Sequence, residues 1–173
     1  SPCRWIGAHI VDGERAAAHD GDLRREEQRR GLGLRARDQL AAGGAGNCQR
    51  VIDYARDYAR ERVQFGQPIT KFQAIAHKFA DMQIMAETAR AMTYRVAAML
   101  DAGLDPAMET AIAKIAATEA NFRCADLGMQ VMGGAGYTME HDLQMFFRDS
   151  RINLIGGGSN EILRNVIARR MDL

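Results

Sequence analysis

The stretch FQAIAHKFADMQIMAETARAMTYRVAAMLDAGLDPAMETAIAKIAATEANFRCADLGMQVM, Phe72 to Met132, decides the fold. Phe72, Ile75, Phe79, Met82, Met85, Ala89, Met92, Val96, Met99 and Leu100 recur three and four apart, which places them on one face of a helix. Gly103 stops that helix as a C-cap candidate. Asp105-Pro106 then opens another, with the aspartate as N-cap and the proline at the first helical position. This second helix runs to about Met132 through Met108, Ile112, Ile115, Phe122, Ala125 and Met129.

The same period extends upstream. Leu40, Ala45, Cys48, Val51, Ile52, Ala55, Ala59 and Val63 form one apolar face of a helix from about residue 38. Phe65-Gly66-Gln67-Pro68 breaks it, because Gly and Pro oppose continuation. Downstream, Gly133-Gly134-Ala135-Gly136 interrupts. A short helix follows at about Met139 to Asp149, with Leu143, Phe146 and Phe147 as its apolar residues. After Gly156-Gly157-Gly158, Ser159 can cap a last helix whose inner positions are Ile162, Leu163, Val166 and Ile167. No alternating strand pattern appears. The expected architecture is all-α: an up-and-down four-helix bundle with an additional short helix.

Composition bounds the function. The 173 residues suit one domain, and 47% are hydrophobic, enough for a core. Net charge is +1, so electrostatics favours neither nucleic acid nor an anionic membrane surface. No apolar run approaches the ~20 residues needed to cross a bilayer. Cys3, Cys48 and Cys124 stand apart with no CxxC pair, which argues against a disulfide scaffold or structural zinc. No metal site is expected. The ten methionines read as core filler. The chain reads as soluble and cytoplasmic.

Residues 1–40 are unlike residues 41–173. They hold eight arginines, seven acids and no lysine, and Trp5 is their one aromatic residue. Arg24 to Arg30, RREEQRR, suits a solvated helix laced with ion pairs, or disorder. A leader that packs poorly and a stretch that is not native, such as one read out of frame, both stay open.

The loops between helices carry the functional signal. A glycine run before a helix lets backbone N–H groups approach an anion, and the helix N-terminus adds partial positive charge. Ser159 adds a hydroxyl there, and Glu161 an acceptor for an amino group. Phosphate and adenine suit such ends. Glycines between helices also serve as plain turns, and neither run is a P-loop or a dinucleotide fingerprint. Arg62 stands at the end of the first long helix. It either stabilises the negative helix end or grips a diphosphate with two parallel N–H groups.

Three segments together resemble the acyl-CoA dehydrogenase family, in its C-terminal helical domain, over about Gly46 to Met171. They are YARERVQFGQPITKFQAIAHKFADM (Tyr58–Met82), with its RxxFG and FQ signatures, ADLGMQVMGGAGYTMEHDLQMFFRDSRI (Ala125–Ile152) and IGGGSNEILRNVIARR (Ile155–Arg170). Their order and separation match the family. The resemblance implies FAD as cofactor, an acyl-CoA thioester as substrate and α,β-dehydrogenation as the reaction. It implies that Arg62 and Phe65 contact FAD bound mainly by a neighbouring subunit, and that Gln73 lies near the adenine side. It implies that Gln130, Gly133 and Gly134 pack against the adenosine diphosphate half, with Ser159 and Glu161 beside that part of the other FAD. Each site then needs two chains, so a homodimer or homotetramer is expected.

The reaction needs a carboxylate to remove the α-proton. Many members carry it just before the last glycine of the terminal loop, where this chain has Gly157. Another branch carries it early in the first long helix, just before an arginine. There this chain has Ala36, with Arg37 at the substrate-side arginine. Neither Gly157 nor Ala36 accepts a proton. Asp38 is two residues off, about 200° around a helix. The family's flavin-ring domain and N-terminal helical domain have no counterpart in this sequence, so the chain alone is expected to be inactive and to bind FAD weakly. A non-catalytic helical partner, completing the FAD site of a full-length dehydrogenase, is the alternative. His77, Glu140, His141 and Asp142 read as ordinary surface or interface residues.

Overall fold

The computed structural model describes residues 31 and 33–173 with their side chains. By contact the chain falls into two units, Ser1–Arg35 and Ala36–Leu173, and everything below concerns the second. Cys3 lies outside the described residues; the Arg24–Arg30 run belongs to the first helix, α1, which begins at Arg4 and not at about residue 38, and the side chains of Trp5 and of that run lie outside the described ones.

The elements are α1 (Arg4–Glu61), β1 (Val63–Gln64), β2 (Gln67–Pro68), a 3-10 turn (Ile69–Lys71), α2 (Gln73–Asp101), α3 (Ala107–Met132), α4 (Gly134–Tyr137), α5 (Leu143–Asn153) and α6 (Asn160–Arg170). The architecture is the all-α bundle expected. α3 is its axis and packs on α2, α5 and α6. Much of α3 is buried, and the alanines and the glycine among those residues let its neighbours come close. At Gly44 a Cβ would stand 2.8 Å from the Ala117 carbonyl oxygen, and at Gly128 2.7 Å from Val51 Cγ1. Glycine at those two positions sets how tightly α1 and α3 pack.

The central core joins Ala45, Cys48, Val51 and Ile52 of α1 to Met82, Ala86, Ala89 and Val96 of α2. Ala117, Cys124 and Leu127 of α3 and Leu143 of α5 complete it. A residue such as Leu143, fully removed from water, contributes about 1.5–3 kcal/mol. A smaller core under α6 joins Ala111, Ile115 and Leu163, with Val166 and Ile167 against it.

α2 ends as its glycine foretells. Gly103 sits at φ +70°, its N–H donates to Leu100 O at 3.0 Å, and the Leu104 N–H donates to Met99 O at 3.0 Å. This is the paired closure of a left-handed C-cap.

Several local expectations are corrected. Pro106, not Asp105, is the N-cap of α3, and the Asp105 carboxylate accepts from Arg170 at 2.9 Å. The short helix begins at Leu143 rather than Met139, because Gly134–Tyr137 forms a single turn of its own first. Val63 and Ile162 are exposed, not core. Val63 instead joins a two-residue antiparallel pair, Val63 opposite Pro68 and Gln64 opposite Gln67.

Candidate functional site

The break after α1 is a tight hairpin. The Arg62 N–H still donates to Tyr58 O at 2.9 Å, and the Ile69 N–H returns to Arg62 O at 2.9 Å. Between them Phe65 and Gly66 take φ +51° and +80°, positive at both central residues as in a type I′ turn. Glycine adopts that freely, whereas an aromatic residue does so at a cost of about 1–2 kcal/mol. Phe65 is nonetheless 93% exposed. Ile69 anchors the hairpin, buried with Ala55, Ala59 and Val131.

The hairpin forms one wall of a cleft of about 630 Å³. Arg62, Phe65 and Phe72 line that side, Tyr58 comes from α1, and Gly133-Gly134 from the junction of α3 and α4. Gly133 sits at φ +60°, ψ −139°, a conformation for glycine, and closes α3 through its N–H to Met129 O at 2.9 Å. A Cβ at Gly133 or Gly134 would meet nothing within 4 Å, so both backbones stand open to the cleft. Arg62 is exposed, and its guanidinium enters no ion pair or side-chain hydrogen bond among the described residues. The wall thus combines a free planar cation, an exposed ring and bare backbone. That set suits a ligand with a diphosphate and an aromatic base.

Four of the sequence candidates, Arg62, Phe65, Gly133 and Gly134, meet in this cleft. Gln73 and Gln130 are exposed and lie next in the chain to the lining residues Phe72 and Val131. Ser159 and Glu161 stand apart from it, at the start of α6. Ser159 Oγ accepts from the Ile162 N–H at 3.4 Å, as a cap should. The backbone N–H of Glu161 and the Ser159 hydroxyl hold the Glu161 carboxyl below the usual carboxylate range, with Arg164 and Arg151 adding to it.

At that end the sequence reading missed a fully buried cation. Lys114 of α3 is fully buried. It donates to Gly158 O at 3.0 Å and to Asn160 Oδ1 at 2.9 Å. Asn160 in turn donates to Thr118 Oγ1 and to Glu119 Oε1, each at 3.3 Å. Burial pushes the Lys114 amine below the usual lysine range, and the neighbouring Arg37 guanidinium pushes it further. The signal lay in AIAKIAA, where one lysine sits among apolar residues on a helix.

Arg37 donates through Nε to Gly157 O at 3.2 Å. The two positions that lack a carboxylate, Ala36 and Gly157, therefore belong to one corner of the fold. Asp38 Oδ1 is buried without a hydrogen-bond partner, and burial raises its carboxyl above the ordinary range. His141 is half-buried against Tyr54 OH at 3.2 Å, and the edge of Tyr58 lies 6.0 Å away between ring centres. Tyr54 OH also accepts from the Asp142 N–H at 3.3 Å, so this cluster ties the loop before α5 to α1. Cys48 and Cys124 are free thiols in the core. Among the described residues no three His, Cys, Asp or Glu gather as metal ligands, and no helix is long and apolar enough to cross a membrane.

Residues 34–172 match the family model described as acyl-CoA dehydrogenase, C-terminal domain. The short-chain specific acyl-CoA dehydrogenase, mitochondrial, of Bos taurus is 41% identical over 129 residues, 75% of this chain and 31% of that protein. Benzylmalonyl-CoA dehydrogenase of Aromatoleum aromaticum is 36% identical over 171 residues, 99% of this chain and 45% of that protein. Among solved structures, PigA with FAD and proline superposes with a TM-score of 0.79 at 29% identity, over 82% of this chain and 37% of that one. The chain spans less than half the length of each.

Proposed function

The chain belongs to the acyl-CoA dehydrogenase family, through its C-terminal helical domain, and from that premise we propose that it supplies the helical half of an FAD site shared between subunits. The whole enzyme would remove hydrogens from the α- and β-carbons of an acyl-CoA thioester. The observation that carries this reading is the convergence of unpaired Arg62, strained and exposed Phe65 and open Gly133-Gly134 on one cleft. The Arg62 guanidinium offers two parallel N–H groups to a diphosphate. The Phe65 ring offers an aromatic face or edge, and the bare glycine backbone allows close approach. FAD, when bound, supplies the hydride acceptor.

Ser159 and Glu161 lie at the other end of the domain, and they suit the nucleotide half of a second FAD. A homodimer or a homotetramer follows, since one chain carries two half-sites and no whole one. Gln73 and Gln130 flank the first half-site and would reach the adenine and its phosphates. Arg37 would face the substrate.

A second reading has its own observation. Neither Gly157 nor Ala36 can take a proton, while the cofactor residues are retained. The chain then acts as a non-catalytic partner that completes the FAD site of a full-length dehydrogenase.

The test is co-expression with a full-length relative, followed by flavin absorbance per protomer. Occupancy should rise, and Arg62→Ala should abolish the rise. Unchanged occupancy with the parent chain would sink the shared-site reading.

A further inference from the structure

Two cysteines in the core have no part in the FAD reading. Cys48 of α1 and Cys124 of α3 are fully buried, free, and members of one apolar cluster. Two glycine contacts bracket their level. One turn before Cys48, Gly44 lies against the Ala117 backbone. One turn after it, Val51 lies against Gly128, itself one turn beyond Cys124. The two helices therefore run side by side in the same direction, with the cysteines facing each other between those contacts. A disulfide needs Cα atoms about 4.4–6.8 Å apart, and helices with axes about 8–10 Å apart reach that only where small residues let them close in. Gly44 and Gly128 provide that approach.

A lone buried thiol in apolar surroundings is inert. These two thiols are not alone. The hydrogen bond between the Cys48 thiol and the Cys124 sulfur pushes Cys48 up, with burial adding to it. The same hydrogen bond holds Cys124 below the ordinary thiol range against the opposing effect of burial. Cys124 in turn donates to Met82 O at 3.7 Å. The thiolate therefore forms at Cys124, with Cys48 as its proton-bearing neighbour.

We propose that Cys48 and Cys124 are a redox modification site, a dithiol that a peroxide closes to a disulfide between α1 and α3. The Cys124 thiolate attacks one peroxide oxygen and the O–O bond breaks. Cys124 becomes a sulfenic acid, and the second oxygen takes up the proton that Cys124 had released and leaves as water. The Cys48 sulfur then attacks the Cys124 sulfur. The S–S bond forms, the S–O bond breaks, and the Cys48 proton leaves with the hydroxyl as a second water. The two thiols lose two electrons, and one peroxide gains them. Peroxide suits the site because it is hardly larger than water, whereas a bulky disulfide does not reach fully buried sulfurs. The new bond pins together the helices that carry the cleft walls, since α1 runs on to Tyr58 and Arg62 and α3 to Gly133. Its chemistry does not depend on the acyl-CoA dehydrogenase reading.

Hydrogen peroxide added to the full chain carrying Cys3→Ser tests it. Peptide mapping should find Cys48 joined to Cys124, with the intact mass lower by two hydrogens and restored by a thiol reductant. Tm should rise by about 5–10 °C in the oxidised chain and fall back on reduction. Cys48→Ala and Cys124→Ala should each remove both the mass loss and the Tm shift. Amide exchange at Arg62 and Gly133 should be slower in the oxidised chain. Thiols that stay reduced, or that stop at sulfinic acid without a crosslink, would overturn the proposal. So would a crosslinked chain with unchanged Tm and unchanged exchange. Failure of flavin occupancy to rise in co-expression would sink the FAD reading and leave these results standing, so the two failures are separable.

Discussion

The ring of Phe65 stands edge-on to Phe72, with centroids 6.1 Å apart and planes at 87°. That contact holds an exposed aromatic side chain on a left-handed backbone. A hairpin built for stability alone would carry Asn-Gly at this turn. Phe65→Asn should therefore stabilise the chain by about 1 kcal/mol in denaturant unfolding, because strain is relieved and little burial is lost. The same change should reduce flavin occupancy in the co-expressed assembly. A variant that is no more stable would show that the turn carries no strain.

Gly43 and Gly44 are neighbours in α1 with opposite expected responses. A Cβ at Gly43 meets nothing within 4 Å, so Gly43→Ala should gain about 0.5–1 kcal/mol from helix propensity. A Cβ at Gly44 would strike the Ala117 carbonyl of α3, which is backbone and cannot swing aside. Gly44→Ala should lose about 1–3 kcal/mol by overpacking. Equilibrium unfolding of both variants decides it. A shared sign would mean that α1 and α3 are not in close contact at that level.

These effects mark where sequence suffices and where it does not. The helices were legible because Met82, Ala89 and Val96 keep one face, and Gly103 was legible as a stop because few other residues accept its φ. The cleft was legible through the Arg62–Phe65 and Gly133-Gly134 motifs. The hairpin was not, since it needs positive φ at Phe65, which nothing in a phenylalanine announces. Lys114 was not legible either. An amphipathic reading puts charge outside, and α3 is buried on too many sides for that rule to hold. Position 157 was read as a missing carboxylate. The approach of the Leu40 side chain to it depends on how α1 packs against the terminal loop, which no local pattern announces.

Asn121 is 1% exposed, and neither its Oδ1 nor its Nδ2 has a hydrogen-bond partner. Each unsatisfied buried polar group costs about 1–3 kcal/mol. Asn121→Leu, similar in size and apolar, should raise Tm by a few degrees. A fall in Tm would mean that the amide is satisfied by water or by contacts made only in the assembly.

Lys114 gives a pH signature. Burial and Arg37 set its folded pKa below the unfolded value near 10.5. Between those two values the unfolded chain binds more protons at this site, so the stability contributed by Lys114 rises with pH. The penalty for a buried ammonium is full below the folded pKa and vanishes as pH approaches 10.5. Two N–H groups of a neutral amine already match the two acceptors, Gly158 O and Asn160 Oδ1, so deprotonation strands neither of them. Lys114→Met removes the titration and leaves both acceptors unpaired. The variant should be the less stable one at neutral pH, and its deficit should widen from neutral pH towards 10.5. Denaturant unfolding of both proteins across that window measures the difference. A deficit that stays constant would mean that Lys114 keeps an ordinary pKa, and one that narrows would mean that its folded pKa is raised; either outcome overturns the prediction.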